Sequence, residues 1–405
     1  MGDNYPFIPI IVGTDINAYT MTISFHEEYG IRPILVGKAP LPFTKLSTIP
    51  KVIEYFDEIS DPEKFASVLI KVADKYKEPN KKLLLIGTND LYVRLIIENA
   101  EILREHFVFN YISEEIMNKL QIKSNFYKLC EELGVDTPTT YFYSCESQSD
   151  FDEEMVYPVI VKPSNGIMYN ERKFAGQQKV YKVNTLEELN RVIHMIKESG
   201  YSDELIIQDY IPGDDTYMWD SVVYVSSRGE VQLVTFARVV LQEHTPTAIG
   251  NYTAVMTSYN EEMMKKLQGF LEHVGYTGFA NFDIKYDERD GKYKLFEVNI
   301  RQGRSSYYTT QTGHNMARYF VDDLIYGKEK ELTYLKEDYL FTVVPKIVLK
   351  KFVGNKEVQQ EIRRLLRQRK FGNPLFYKKD KHFKRKLYMF ARQVNYYFKY
   401  KNNNW

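Results

Sequence analysis

Two strands joined by an Asp-Gly turn constrain this chain more than any other segment. The runs Phe279-Ala280-Asn281-Phe282-Asp283-Ile284-Lys285-Tyr286 and Tyr293-Lys294-Leu295-Phe296-Glu297-Val298-Asn299-Ile300-Arg301 flank a turn containing Asp290-Gly291. Such a dipeptide between alternating apolar runs signals a hairpin. Pairing about the turn brings Asp283 opposite Glu297 and Asn299. Residues two apart on a strand share a face, so Glu297 and Asn299 point where Asp283 points, with Arg301 next. Three oxygen ligands on one face suit a hard cation such as Mg²⁺ shared with phosphates. The plainer alternative is the solvated face of a half-buried sheet. The small polar turn that follows, Gln302-Gly303-Arg304-Ser305-Ser306, could hold a substrate anion and weighs towards a site.

Two further segments lie upstream. Tyr157-Pro158-Val159-Ile160-Val161-Lys162-Pro163 is a short apolar strand with one lysine, either a snorkelling edge residue or a buried cation for a phosphate. Glu204 to Asp215 is a strand, Leu205-Ile206-Ile207-Gln208-Asp209-Tyr210-Ile211, ending in Pro212-Gly213 and two acidic residues. In this order the three segments resemble the ATP-grasp superfamily of carboxylate-amine ligases. Lys123, in Lys119-Leu120-Gln121-Ile122-Lys123-Ser124, resembles the phosphate-contacting lysine ahead of that family's central domain. The resemblance covers about residues 5 to 345.

The resemblance implies a role for each residue. Lys123 and Lys162 would meet the phosphates of ATP. Gln208, Asp209, Tyr210 and Ile211 would offer backbone groups to the adenine edge, and Asp215 would hold the ribose. Asp283, Glu297 and Asn299 would bind Mg²⁺, with Mn²⁺ as a substitute. Arg301 would stabilise an acyl-phosphate or a tetrahedral oxyanion. One departure stands out. The phosphate-covering segment, Ser164 to Lys179, holds only Gly166 and Gly176, and offers Asn165, Arg172, Lys173 and Lys179 instead. A cover assisted by side chains is expected.

The first third alternates strands and helices: Phe7 to Gly13, an amphipathic helix over Asp15 to Tyr29, Arg32 to Val36, Lys82 to Gly87, and a helix through Ala100. This predicts a parallel, Rossmann-like sheet. Gly13-Thr14-Asp15 and Gly87-Thr88-Asn89-Asp90 fall at strand C-terminal ends, where open α/β sheets place ligands, although Asp15 and Asn89 are equally good helix caps. The fold class expected is α/β, α+β in the central part. Its parts are an N-terminal α/β domain (1–115), an ATP-grasp domain of two subdomains (116–345) and a basic helical C-terminal tail (346–405).

Within the superfamily the chain is most similar to the D-aspartate ligases of Gram-positive bacteria. The similar stretches are Gly13 to Asn17, Ser24 to Gly30, Gly87 to Asp90, and Leu241-Gln242-Glu243-His244-Thr245-Pro246 through Gly250-Asn251-Tyr252. That resemblance implies joining the β-carboxyl of D-aspartate to the side-chain amine of lysine in a peptidoglycan precursor. Arg301 and Arg304 are the best candidates for its carboxylates, with Arg238 a third or merely an edge-strand arginine. His244, near Thr245 and Thr247, would orient substrate or relay the amine's proton, unless its role is structural. The alternatives are a carboxylate-amine ligase for another amino acid or metabolite, and a non-catalytic ATP-binding scaffold anchored by the tail.

Composition fits an intracellular enzyme. Two cysteines, Cys130 and Cys145, suit a reducing compartment. No apolar run spans a membrane, and Asp3, Pro6 and Pro9 interrupt the early apolar segment, so a cytoplasmic location is expected. Net charge is zero, yet Lys346 onward carries about +15 and the remainder about −15. The tail interleaves lysines with Tyr377, Phe383, Tyr388, Phe390, Tyr396, Tyr397 and Phe398. Three readings compete for it: peripheral contact with an anionic membrane at its inner face or with an anionic precursor, ranked first, docking on the acidic body close behind, and nucleic acid last.

Overall fold

A computed structural model of the chain describes residues 5–147, 149–245, 248 and 250–403. Asp3, Pro246 and Thr247 lie outside the described residues. The first sheet is four-stranded and parallel, in the spatial order Val52–Tyr55, Ile34–Gly37, Phe7–Val12, Lys82–Gly87. Its first helix, Ile16–Tyr29, starts on the Asp15 side chain, which accepts from Ala18 N at 2.9 Å, and stops at Gly30 in the left-handed region at φ 66°. The amphipathic pattern expected of that helix is not found: every residue from Ile16 to Phe25 is buried. The helix is covered both by its own sheet and by the helices Tyr307–Gln311 and Met316–Leu324. Thr22 and Ser24 survive this burial by donating to the carbonyls of Ala18 and Thr20.

A second, antiparallel sheet of four strands runs Thr140–Ser144, Glu204–Asp209, Val159–Pro163, Tyr181–Val183 and carries a separate apolar core against the helix Leu186–Glu198. Lys162 therefore sits on an interior strand, which removes the edge-residue alternative. The third sheet has nine strands, with Lys292–Asn299, Gly278–Asp287, Met218–Val225, Phe236–Gln242 and Tyr252–Ser258 as consecutive neighbours. Asp283 pairs with Glu297, and Asn281 with Asn299. From the turn, Asp287 pairs with Lys292, and regular pairing from there would set Asp283 against Phe296. A bulge at Phe296 shifts the register and turns Glu297 onto the face of Asp283.

The tail docks on the body. Its helix Lys356–Arg367 buries Val358, Ile362 and Leu365, and the strand Phe371–Gly372 extends the large sheet. The last helix, Phe383–Asn402, buries Met389, Tyr396 and Tyr400 in the same apolar core that holds Phe7 and Tyr19. A buried ion pair fixes its start: Arg385 Nε lies 3.1 Å from Asp380 Oδ2, and Asp380 also accepts from Tyr19, Ser47 and Thr48. Of the three readings of the tail, docking holds for this inward face. Among the described residues no helix is long and apolar enough to cross a membrane.

Candidate active site

The hairpin face forms a floor where the third sheet meets the second, whose Lys162 Nζ lies 5.9 Å from the Phe296 ring. Tyr252 donates to Asp283 Oδ1 at 2.7 Å, and Asn299 Nδ2 donates to Asp283 Oδ2 at 3.2 Å. Burial and the facing Glu297 hold the Asp283 carboxyl well above the usual carboxylate range. Burial works against ionising Glu297 as well, but Lys123, the hydrogen bond from Asp283, Lys179 and Lys162 outweigh it and keep Glu297 below its ordinary value. Two facing carboxylates are a fit for a divalent cation, which would offset their mutual repulsion. Asn299 turns its oxygen to Arg301 Nη2 at 3.3 Å, so its amide would have to rotate to join them. Among the described residues no group of three or more His, Cys, Asp or Glu side chains is placed to hold a metal. A third carboxylate, Asp220, lies beside Asp283 in the register and is missing from the sequence reading. Burial pushes it up to about 6, although Asn281 and Ser305 donate to it.

Three lysines converge above this floor. Lys123 Nζ is 3.8 Å from Glu297 Oε2. Lys162 Nζ donates to the Tyr127 hydroxyl at 2.9 Å, which in turn donates to Phe296 O at 2.8 Å. Of the cations on the Ser164 to Lys179 segment, Lys179 bears on both Lys162 and Glu297. Burial lowers Lys162 to about 8. A polyphosphate would restore its proton, so ligand affinity is expected to be steady below that pH and to fall above it, by up to about tenfold per pH unit. A KM for ATP that does not change between pH 7 and pH 9.5 would remove Lys162 from the phosphate site.

The nucleotide-edge residues are differently occupied. Gln208 Nε2 donates to Thr140 Oγ1 at 2.7 Å, and Asp209 takes a bidentate grip from Arg289. The amides of Asp209 and Tyr210 donate to Thr139 O and Pro158 O. The ring of Tyr210 lies 3.8 Å from Lys182 Nζ and 5.6 Å from Lys285 Nζ, two cations sequence reasoning passed over. Lys285 lies two residues beyond Asp283, so strand alternation could have found it. Ile211 is buried at the end of this segment. Asp215 spends both oxygens on Gln242 N, Gln242 Nε2 and His244 Nε2, the last at 2.7 Å. It fixes the loop that carries His244.

Towards the first sheet the site becomes cationic. Arg301 meets Asp90, with Nη2 2.9 Å from Oδ2, and Gln302 Nε2 donates to Gly87 O at 3.1 Å. The turn 301–306 is thereby seated on the strand end at Gly87, beside the helix that Asn89 caps; Asp15 caps the first helix. Arg304 makes no ion pair or hydrogen bond with the described residues. Arg238 turns away, donating to Thr216 O at 2.6 Å beside Trp219. Opposite lies Glu243, a buried carboxylate with Lys399 Nζ at 3.7 Å. Glu243 and Arg304 both bear on the Tyr396 hydroxyl, and His244 packs on Tyr400 with ring centroids 4.9 Å apart. The last helix is thus a wall of this region.

No known family model matches the sequence. A D-aspartate ligase of Enterococcus faecium is 36% identical over 413 aligned residues, covering 98% of this chain and 97% of that protein. An L-amino acid ligase from Bacillus licheniformis superposes with a TM-score of 0.56 at 16% identity, over 79% of this chain and 74% of its own. An N5-carboxyaminoimidazole ribonucleotide synthetase, in its ADP complex, gives 0.56 at 14% identity over 83% and 81%. The fold and these relatives define an ATP-dependent carbon–nitrogen ligase of the ATP-grasp type. More narrowly, the chain belongs to the D-aspartate ligase family.

Proposed function

We propose that the protein activates the β-carboxyl of D-aspartate with ATP and joins it to the lysine side-chain amine of a peptidoglycan precursor. The carboxylate dyad beneath three lysines, with Arg301 and Arg304 alongside, is the observation that carries this reading. A carboxylate oxygen attacks the γ-phosphorus and ADP leaves. The amine nitrogen then attacks the acyl carbon, and phosphate departs with the bonding electrons as the amine loses its proton. Lys123, Lys162 and Lys179 orient the phosphates, beneath Tyr210 as the adenine-side wall. Asp283 and Glu297 would hold Mg²⁺, with Asn299 joining on rotation of its amide; when bound, the ion would offset charge on the transferred phosphoryl. Arg301, fixed by Asp90, faces the developing oxyanion.

Arg304 takes a substrate carboxylate, and Glu243 takes the α-ammonium. His244, held by Asp215, positions that loop. Glu243→Gln is expected to raise KM for D-aspartate by about tenfold or more while KM for ATP stays constant, because a charged hydrogen bond is lost only to the amino acid. Equal changes in both constants would assign Glu243 to the loop's structure. The setting is cytoplasmic, with the basic tail in peripheral contact with the inner face of the membrane, and the limits 1–115, 116–345 and 346–405 serve as the working domains. ADP release with lysine-containing UDP-muramyl pentapeptide, compared across D-aspartate, L-aspartate and other amino acids, tests the assignment. Turnover confined to D-aspartate supports it, and turnover only with another acid transfers the site to a different carboxylate-amine ligase.

A further inference from the structure

The last helix has a second face. Arg385, Met389, Gln393, Tyr396 and Tyr400 lie against the body. On the opposite side Phe383, Leu387, Phe390, Val394 and Phe398 repeat at helical spacing in solvent, the first three 77%, 61% and 64% exposed. Phe376 continues this apolar surface into an open groove of about 520 Å³ bordered by Phe383, Leu387 and Phe390. A contiguous exposed apolar stripe rimmed by charged residues marks an interaction surface.

Charge decides what. Lys378, Lys379, Lys381, Lys384 and Lys386 are exposed around the stripe, and the segment's one acidic residue, Asp380, is buried against Arg385. A second copy meeting this face with its own would set lysines against lysines. A phenylalanine-rich stripe flanked by lysines matches an anionic bilayer, whose headgroups pair with the ammonium groups while the rings enter the interface. We infer that the outward face of Phe383–Asn402 lies in the plane of an anionic lipid surface, seating the ligase on the membrane by the helix whose inward face walls the Glu243 and Arg304 region. This deepens the peripheral-contact part of the reading above and rests on it.

The full-length protein is sedimented with phosphatidylglycerol-containing vesicles and with pure phosphatidylcholine vesicles, at low and at high salt. ADP formation in solution and the oligomeric state are measured alongside. Co-sedimentation with the anionic vesicles only, weakened by salt, is expected. The Leu387→Glu/Phe390→Glu double variant should lose at least about tenfold in partitioning with unchanged melting and unchanged soluble turnover. Absence of vesicle binding with turnover intact overturns the membrane inference and leaves the ligase reading standing. So does a wild-type dimer that the double variant converts to monomer, which would assign the stripe to a second copy.

Discussion

Glu297→Ala is expected to abolish ADP formation, lowering kcat by about 10³-fold or more, with the fold and the thermal transition retained. Glu297 is the member of the dyad whose carboxyl Lys123 helps to hold below its ordinary value, opposite Asp283. Without it Asp283 loses its facing carboxylate, keeping only Asp220 beside it, and Lys123 loses its partner. Its side chain opens to the site rather than filling the apolar core, so the truncation leaves no cavity under the sheet. Circular dichroism and ADP release on the same preparation separate the two effects. Wild-type turnover in this variant would sink the metal assignment.

Arg301→Ala should cost about 10² to 10³-fold in kcat while the affinity for ATP changes little. The guanidinium is fixed from one side by Asp90 and from the other by Asn299, which aims it at the site before substrate arrives. Asp90→Asn is expected to give a smaller loss, because that residue positions Arg301 across the seam between two sheets. A turnover number unchanged in Arg301→Ala would contradict its role at the oxyanion, whatever happened to KM.

The hairpin and its facing carboxylates were legible because alternation and an Asp-Gly turn are local signals. The bulge that makes the pairing work was not. Its trace is two successive apolar residues, Leu295 and Phe296, in a run that otherwise alternates. Lys162 was legible as a cation in an apolar strand, though its interior position depends on which strands flank it. Asp220 escaped notice, and Glu243 and Tyr252 stood in a similar stretch without a role, because each reaches the site from a strand or loop whose register is set by long-range pairing. The buried first helix misled for a different reason: threonine and serine that bond back to the helix read as a polar face. The tail gave both its docked and its free face as one mixture, since a helix buried on one side and apolar on the other has no clean period of polarity.

The central claim, activation of a carboxylate as an acyl-phosphate, is most directly tested by following oxygen. D-aspartate carrying a heavy oxygen isotope in both β-carboxyl oxygens is incubated with the purified protein, ATP, Mg²⁺ and the lysine-containing precursor. The phosphate released is then weighed alongside the product peptide. One labelled oxygen in each phosphate, with the other retained in the new amide, is the predicted result. ADP formed with unlabelled phosphate, or an amide that keeps no label, would contradict it.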